Sequence, residues 1–534
     1  MKPEHKKYII ENIREYSPRE MAQKLNIRES KVRKFLERHK DKIQAGPPVE
    51  NLTEKFFGHS IGQNQAIFFI ILIIIMGFIV YANSLSGGFI WDDEQLVVEN
   101  SYIRDGSHLS DIFTKSIGAG SEKECNYYRP LQQISYFLDF FLYQLNPFGY
   151  HLTNILLHIG VALGLFWLMR LFYFDNLLAA LTALLFVVHP VHTEAVSYIS
   201  GRADPLGTLF LLLAFIAYIK SLSTRNMLPR ALAILSYALA LLSRESSLIL
   251  PFLLLLYHYC FRKKIESGFF ATIAAMTFVY IFLRTTVLKF VSFENPVAST
   301  VFERIPGFFA AMAGYAKLLI LPFGLHMEYG NGLFSPINPA VLIGVFLVVF
   351  LLIFFVRRKR GPDTIVFGTA WFFIALLPFS NIYPLNAYMA EHWLYISSMG
   401  FFLVLAKCFL LFANACERTR NFILGCLICL IAFYSYMAIR QNAYWNDPVN
   451  FYERTLTYAP HSARLYTNLG KEYEARGRKD EAIAMHKKAI ALKADYAEAY
   501  NNLANVYTSI GRDAEAVDLF KKALSIDTKY ADKY

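Results

Sequence analysis

The sequence predicts an all-α, polytopic membrane protein with a short array of helical repeats at one end and a small helical module at the other. Three observations predict it. Of 534 residues, 55% are apolar and only 18% charged, whereas soluble chains run at about a quarter charged. The apolar residues gather into runs of about 20, the length that crosses a bilayer. After residue 460 a repeat of period 34 sets in. The same composition excludes a disordered chain, a collagen and a small disulfide scaffold, since six cysteines are too few for 534 residues. Cys260, Cys408, Cys426 and Cys429 lie in or beside apolar runs, where inert buried thiols are expected. The CxxC spacing of Cys426 and Cys429 has no partner pair and reads as packing.

Residues 1–45 form a basic module. Ser17-Pro18-Arg19-Glu20 reads as a helix start, with Ser17 as N-cap, Pro18 at the first helical position and Glu20 closing a capping box. Ala22, Leu25, Ile27, Val32, Phe35 and Leu36 supply the apolar contacts of two short helices, the second from Arg28 to Lys40, with Asn26 at the turn. The shape is helix-turn-helix-like. Arg28, Lys31, Arg33 and Lys34 would suit nucleic-acid phosphates, but a single membrane-tethered copy reads DNA poorly, so a module facing headgroups or solvent is preferred. A linker, 46–64, follows around Gly46-Pro47-Pro48.

The membrane domain is expected over 65–440. Candidate spans are 65–83, 151–173, 176–195, 203–220, 229–243, 246–261, 268–288, 339–356, 364–381, 393–413 and 420–440. Because the first apolar run starts only near Ala66, no cleavable signal peptide is expected. The net charge of +11 is unevenly spread. Arg170, Lys220 with Arg225 and Arg230, Arg262–Lys264, Arg357–Arg360, and Arg418 with Arg420 all belong on the cytoplasmic side with the N-terminus. About eleven crossings satisfy every cluster. Counting 306–323 as a crossing would reverse the orientation of every later span. That stretch holds Lys317 between Pro306 and Pro322 and reads as interfacial or re-entrant.

An odd number of crossings places residues 441–534 on the outer side, periplasmic or lumenal. There Leu469/Leu503, Tyr473/Tyr507, Gly477/Gly511, Ala482/Ala516 and Ala489/Ala523 recur at tetratricopeptide spacing. Trp445 to Tyr458 matches the second helix of a truncated unit, giving about two and a half units. So few repeats must lean on the membrane domain, continue in a partner or self-associate. Their concave face would bind a peptide segment; a structural plug is the alternative.

The polar residues gather on that same outer side. The first outer loop, 84–150, holds Trp91-Asp92-Asp93-Glu94, three adjacent acids that resist joint ionisation. One carboxylate there suits a general base toward a hydroxyl, and a second could hold a metal or orient the acceptor. Tyr128 and Arg129 precede a helix-starting Pro130, and Arg129 suits a phosphate. His151, Asn154 and His158 share one face of the second span. His189, His192 and Glu194 crowd the next link, too irregularly spaced for a known zinc signature. Arg202 with Asp204, Arg244 with Glu245, and Glu391 with His392 complete the set. A divalent ion such as Mg or Mn is an option, not a requirement. Five separated polar clusters on one face suit an enzyme handling a lipid-linked anion.

These residues also resemble a known family. Trp91-Asp92-Asp93, Tyr128-Arg129-Pro130-Leu131, His151-Leu152-Thr153-Asn154 to His158, His189-Pro190-Val191-His192-Thr193-Glu194-Ala195-Val196, Ser200-Gly201-Arg202-Ala203-Asp204 and Ala390-Glu391-His392-Trp393-Leu394-Tyr395 are similar, in order, to the transmembrane-and-TPR protein O-mannosyltransferases and their bacterial relatives. The resemblance covers roughly residues 65–530. It implies a GT-C glycosyltransferase fold, a polyprenyl-phosphate sugar as donor and Ser/Thr hydroxyls of proteins as acceptors. The acids Asp92 or Asp93 would be catalytic, the resemblance leaning to Asp93, and Arg129, Arg202 and Arg244 would hold the donor phosphate. Sugar transfer to a lipid or glycan, and a non-catalytic repeat scaffold, are the alternatives. His392 stands where the animal pattern has Arg, the repeat array is shorter, and residues 1–45 lie outside the likeness. The last point suggests a bacterial inner membrane, with the repeats in the periplasm and undecaprenyl phosphate as carrier.

Overall fold

The computed structural model describes residues 22, 24, 25, 27, 29–38, 59–123, 125–224, 226–290, 300–330, 332–357, 363–415 and 417–528. Among them every regular element is an α-, 3-10 or π-helical segment, with no strand. The described residues fall into two compact units, one within 1–69 and 173–176, the other comprising 70–172 and 177–534.

In the first unit the helix Glu29–Arg38 carries the second half of the helix-turn-helix pattern. Ala22, Val32 and Phe35 are buried together, with Leu25, Ile27 and Leu36 packed around them. The expected cap at Ser17, Pro18 and Glu20, and the residues Asn26 and Arg28, lie outside the described residues.

All eleven stretches read as spans are helical, and apart from residues 65–69, 173 and 176 they belong to the second unit. Six helices are long and apolar enough to cross a membrane: Gln63–Ser86, Pro147–Tyr173, Ile199–Ser221, Ser267–Val287, Glu391–Ala415 and Arg418–Tyr444. A seventh is the pair Asn176–Val188 and Pro190–Val196, bent by 55°. The remaining stretches are the shorter apolar helices Leu228–Ser243, Glu245–Phe261, Pro339–Phe354 and Thr364–Phe379. Stretch 306–323 forms one unbroken helix, Val301–Ile320, opened by a capping box between Thr300 and Glu303, so it does not turn back on itself. Gly344 lets this helix meet its neighbour backbone to backbone, because a Cβ there would lie 1.8 Å from the Phe309 carbonyl oxygen.

Two thiols depart from expectation. Cys426 and Cys429 are exposed and unbonded, on a helix whose Phe422 and Ile428 are exposed as well. A spanning helix turns apolar residues toward lipid as readily as toward protein, so an apolar run does not by itself imply burial of its cysteines.

The repeats belong to the same unit as the span-forming helices. The half unit is Pro448–Tyr458, followed by the pairs Ala463–Ala475 with Lys479–Leu492 and Ala497–Ser509 with Asp513–Ile526. Gly477 and Gly511, with φ of +75° and +76°, turn the chain inside each pair, a left-handed conformation that glycine adopts without steric cost. The repeat core is continuous with the membrane-proximal loops: Ile90 and Tyr198 pack in one cluster with Trp445, Phe451, Tyr452 and Tyr466. Asn442 pins the last long helix in place. Its Nδ2 donates to the Val80 carbonyl at 2.8 Å, and its Oδ1 accepts from Thr193 and Ser197, each at 3.0 Å.

Candidate active site

Six helices start or stop at the wall of a cavity of about 1360 Å³. Ile199–Ser221 begins there with Ser200 and Asp204, Leu228–Ser243 ends beside Arg244, and Glu245–Phe261 starts with Glu245. Ser267–Val287 ends with Arg284, Thr364–Phe379 ends with Phe379, and Glu391–Ala415 begins with His392 and Trp393. The basic residues Lys220, Arg230 and Arg262 stand at the opposite ends of their helices, roughly 20–30 Å away at 1.5 Å per residue.

Asp92 and Asp93 are adjacent in sequence and differ in fate. Asp92 lines the cavity and remains accessible. Its backbone N–H donates to the Tyr198 hydroxyl at 3.2 Å. The protein packed around it withdraws water from the carboxyl and raises it above the ordinary aspartate range, against the opposing pull of Arg464, the Tyr198 hydroxyl, Lys123 and Arg129. Asp93 is 1% exposed and lies behind the wall. One oxygen accepts from the Ile90 N–H at 3.0 Å, the other from the Ser200 N–H at 2.8 Å and the Ser200 hydroxyl. Burial pushes its carboxyl up to about 7 even so. Asp93 therefore latches two loops together, and Asp92 is the member of the pair that meets space. Glu94 is exposed and opens a π-helical turn whose Gln95 and Leu96 line the cavity while Glu94 itself does not.

Trp91, just before them, has φ of 59°, the left-handed region that bulky residues rarely occupy. Its ring lies against Phe451 at 6.2 Å and Tyr452 at 5.9 Å, and the Arg464 guanidinium sits over it at 4.5 Å.

The arginines divide in the same manner. Arg129 Nε bonds Glu245 at 3.0 Å, and Arg284 meets the other oxygen of Glu245 at 3.1 Å. Arg244 Nε meets Asp204 at 3.1 Å, whose second oxygen has no hydrogen-bond partner. Arg129, Arg244 and Arg284 all line the cavity. Arg202 does not. It is 0% exposed and bonds Asp139 at 2.5 Å, Asn154 at 2.7 Å, the Tyr150 carbonyl at 2.9 Å and Ser135 at 3.3 Å. Each of its nitrogens is engaged and the group is sealed off from the cavity, so it cannot meet a phosphate there.

The histidines pin helices. His158 bonds the Tyr395 hydroxyl at 2.7 Å and the Val187 carbonyl at 3.2 Å. His192 bonds the Phe186 carbonyl at 2.8 Å and Ser398 at 3.0 Å. His189 donates to the Leu319 carbonyl at 3.2 Å. His151 packs beneath Gly87, where a Cβ would come within 2.9 Å of its Nε2. Asn154 donates to the Val196 and Tyr198 carbonyls and so shapes the link that carries Tyr198. Tyr128 bonds the Phe113 carbonyl and stacks on Phe290, outside the lining. Glu194 and His392 do reach the cavity, bonded Nδ1 to Oε1 at 2.7 Å, while Glu391 holds the 326–329 segment through the His326 N–H and the Tyr329 hydroxyl. Among the described residues, no group of three His, Cys, Asp or Glu is arranged to hold a metal ion.

Among the cavity residues that the sequence does not single out are Arg284, Tyr198 and Arg464. Arg284 carries the same signal as Arg129 and Arg244, a lone arginine at the outer end of an apolar run, and was legible on that ground. Tyr198 and Arg464 were not, because nothing local marks them.

Comparison with known proteins supplies relatives. Models of the tetratricopeptide repeat match residues 470–511 and 497–530. A protein O-mannosyl-transferase of Caenorhabditis elegans is 28% identical over 82% of this chain and 64% of its own length. Human protein O-mannosyl-transferase TMTC3 is 25% identical over 78% of this chain and 50% of its own, and human TMTC1 is 27% identical over 78% and 54%. The chain thus spans about half to two-thirds of the length of these curated relatives. Apolar helices followed by tetratricopeptide repeats, together with matches running through both, make this chain a homologue of the transmembrane protein O-mannosyl-transferases.

Proposed function

We propose that the chain is a membrane glycosyltransferase of GT-C type that moves a sugar, a hexose such as mannose, from a polyprenyl-phosphate carrier to Ser or Thr hydroxyls of proteins. One observation carries this reading: Asp92 and the arginines Arg129, Arg244 and Arg284, from four separate segments, line a single cavity. The names of the relatives support sugar transfer to protein. The cavity also has an apolar stretch through Leu248, Ile281 and Phe290, suited to the lipid end of an amphiphilic donor.

The step is a single displacement. Asp92 accepts the proton of the acceptor hydroxyl, whose oxygen bonds to the anomeric carbon. The bond from that carbon to the phosphate oxygen breaks, and the polyprenyl phosphate leaves with the electron pair. The arginines offset the charge that develops on it, which is where fixed charges accelerate a reaction most. Glu245 and Asp204 hold Arg129 and Arg244 through Nε and leave their outer nitrogens for the leaving group, while Arg284, tied through Nη1 to Glu245 and Nη2 to the Asn126 carbonyl, adds its charge at the wall. His392 with Glu194 and Tyr198 complete the polar wall, and Asp93, Arg202, Asn154 and the buried histidines keep the loops in register. A divalent ion is not required by this arrangement.

In this reading the N-terminus is cytoplasmic and the cavity and repeats lie outside, in a bacterial inner membrane with the repeats periplasmic, a reading that the basic helix ends opposite the cavity support. The 1–45 module meets headgroups or solvent in preference to nucleic acid.

The test is transfer from a radiolabelled polyprenyl-phosphate mannose to Ser/Thr peptides by the full chain in proteoliposomes. Transfer that Asp92→Asn abolishes supports the reading. Transfer retained in Asp92→Asn overturns the assignment of the base, and transfer to lipid or glycan alone overturns the acceptor.

A further inference from the structure

We propose that the repeat module is part of the reaction site itself, with Arg464 of the first full repeat positioning Asp92 by clamping Trp91 and closing the cavity wall through Glu328. This rests on the glycosyltransferase reading and extends it from the membrane domain to the repeats, which otherwise need do no more than hold an acceptor.

The local geometry is specific. Arg464 stands near the start of the helix Ala463–Ala475, yet its side chain lines the cavity among residues of the membrane domain. It makes two contacts there. Its guanidinium covers the Trp91 ring at 4.5 Å, and Nη2 lies 2.6 Å from Glu328 Oε2. Trp91 is the residue that needs holding. A left-handed backbone persists at a bulky residue only where its surroundings over-determine it, and three of those surroundings, Phe451, Tyr452 and Arg464, come from the repeats. The strained residue immediately precedes Asp92, so the direction in which the Asp92 carboxyl leaves the chain depends on the Trp91 backbone.

The second contact reaches another wall. Glu328 belongs to a segment fixed on both sides: Glu391 accepts from the His326 N–H at 2.6 Å and from the Tyr329 hydroxyl at 2.7 Å, while the His326 ring stacks on Tyr458 of the half repeat at 4.7 Å and 13°. Met327, Glu328 and Tyr329 line the cavity. One guanidinium thereby ties the acidic loop, the 326–329 segment and the repeats together. A module that merely plugged the membrane domain would need apolar contact, not a cation at the cavity wall.

Arg464 also shares the electrostatics of Asp92. The groups that act on that carboxyl are Arg464, Lys123 and Arg129 as cations, the Tyr198 hydroxyl, and the neighbouring Asp93 as an anion. Losing one cation makes the carboxylate harder to form, so the acidic limb of the rate profile moves to higher pH. A residue that only stabilised the repeat fold would not move it.

The experiment compares Arg464→Met, Arg464→Lys and Arg512→Met in the full chain, reconstituted in proteoliposomes with polyprenyl-phosphate mannose and a Ser/Thr peptide. Arg464→Met keeps the stem and removes the charge. It is expected to lower kcat roughly 10- to 100-fold, the cost of a small misplacement of a reacting group, with donor KM little changed and the acidic limb displaced upward. Arg464→Lys restores the limb and part of kcat. Arg512→Met, at a pair with Glu515 on the outer repeat, leaves both unchanged. Amide hydrogen exchange on the same samples supplies a readout independent of chemistry: residues 90–96 exchange faster in Arg464→Met, while helix Lys479–Leu492 keeps its protection. Unchanged exchange at 90–96, or a kcat and pH profile equal to wild type, overturns the proposal. If the wild-type chain transfers no sugar, the glycosyltransferase reading fails and the exchange measurement still decides whether the repeats hold the Asp92 loop.

Discussion

Two sets of arginine–carboxylate pairs lie along the same helix ends, and they are built differently. Arg202 is sealed: Asp139, Asn154, Ser135 and the Tyr150 carbonyl take its donors, the Tyr136 ring lies under it at 4.8 Å, and no water reaches it. Arg129, Arg244 and Arg284 also have carboxylate partners, but each faces the cavity, and Arg129 and Arg244 are bound to theirs through Nε alone. A guanidinium has five donors. Where the fold buries the group and uses four of them, as at Arg202, the residue is a strut; where the fold uses one or two and leaves the rest beside open space, it can receive an anion. The pair Asp92 and Asp93 repeats the contrast among acids. Burial separates the acids, Asp92 being accessible and Asp93 sealed, but hardly the arginines, which are all largely shielded from bulk solvent. Unused hydrogen-bonding capacity separates those.

The largest expected effect breaks the contrast among the acids. Asp92→Asn should cost about 10²–10⁴-fold in sugar transfer, the usual contribution of a positioned base, with the thermal unfolding of the detergent-solubilised protein unchanged. If Asp93→Asn proved equally inactive while fully folded, the distinction between latch and base would be lost.

Next comes the contrast among the arginines. Arg202→Met leaves Asp139 buried without its cation, an arrangement that costs about 3–5 kcal/mol. It should lower the unfolding temperature or prevent accumulation of folded protein. Arg284→Met should barely move the unfolding temperature, because Glu245 keeps Arg129, whereas Arg244→Met leaves buried Asp204 without its cation and should lower it. Both should weaken the donor, raising KM about tenfold, as loss of one charge-assisted bond of about 1.5 kcal/mol would. An Arg284→Met variant with normal donor KM would return that residue to a purely structural role.

The division between strut and site marks where the sequence is legible. The helices are, because runs of about 20 apolar residues have few other uses, and the repeats are, because Leu469, Gly477 and Ala489 recur 34 residues on. The grouping of Asp92, Arg129 and Arg244 at one end of the bundle follows from counting crossings against basic clusters. What sequence does not reveal is which member of a polar pair faces inward. Asp92 and Asp93 are chemically identical neighbours, and only the left-handed turn at Trp91, itself held by repeat residues some 360 positions away, decides between them. The spacing of His189 and His192 matches no known zinc signature and does not say what else they hold; their carbonyl and hydroxyl partners lie on other helices. Asn442 is silent for the same reason, its partners Val80, Thr193 and Ser197 being remote in the chain.

The smallest effect concerns pH and tests the latch directly. Burial lifts the Asp93 carboxyl from 3.8 to about 7. An acid whose folded value exceeds its unfolded one binds more protons folded than unfolded between the two, so stability falls as pH rises across that interval. Its contribution is fully present below pH 3.8 and fades as pH climbs through about 7. Asp93→Asn has no proton to exchange at this position, so its unfolding temperature should change less between about pH 4 and pH 7 than that of the wild type. Equal slopes for the two proteins would mean that the Ile90 and Ser200 donors hold Asp93 ionised throughout. The latch would then be an anion clamped by two backbone amides rather than a carboxyl sharing a proton with Ser200.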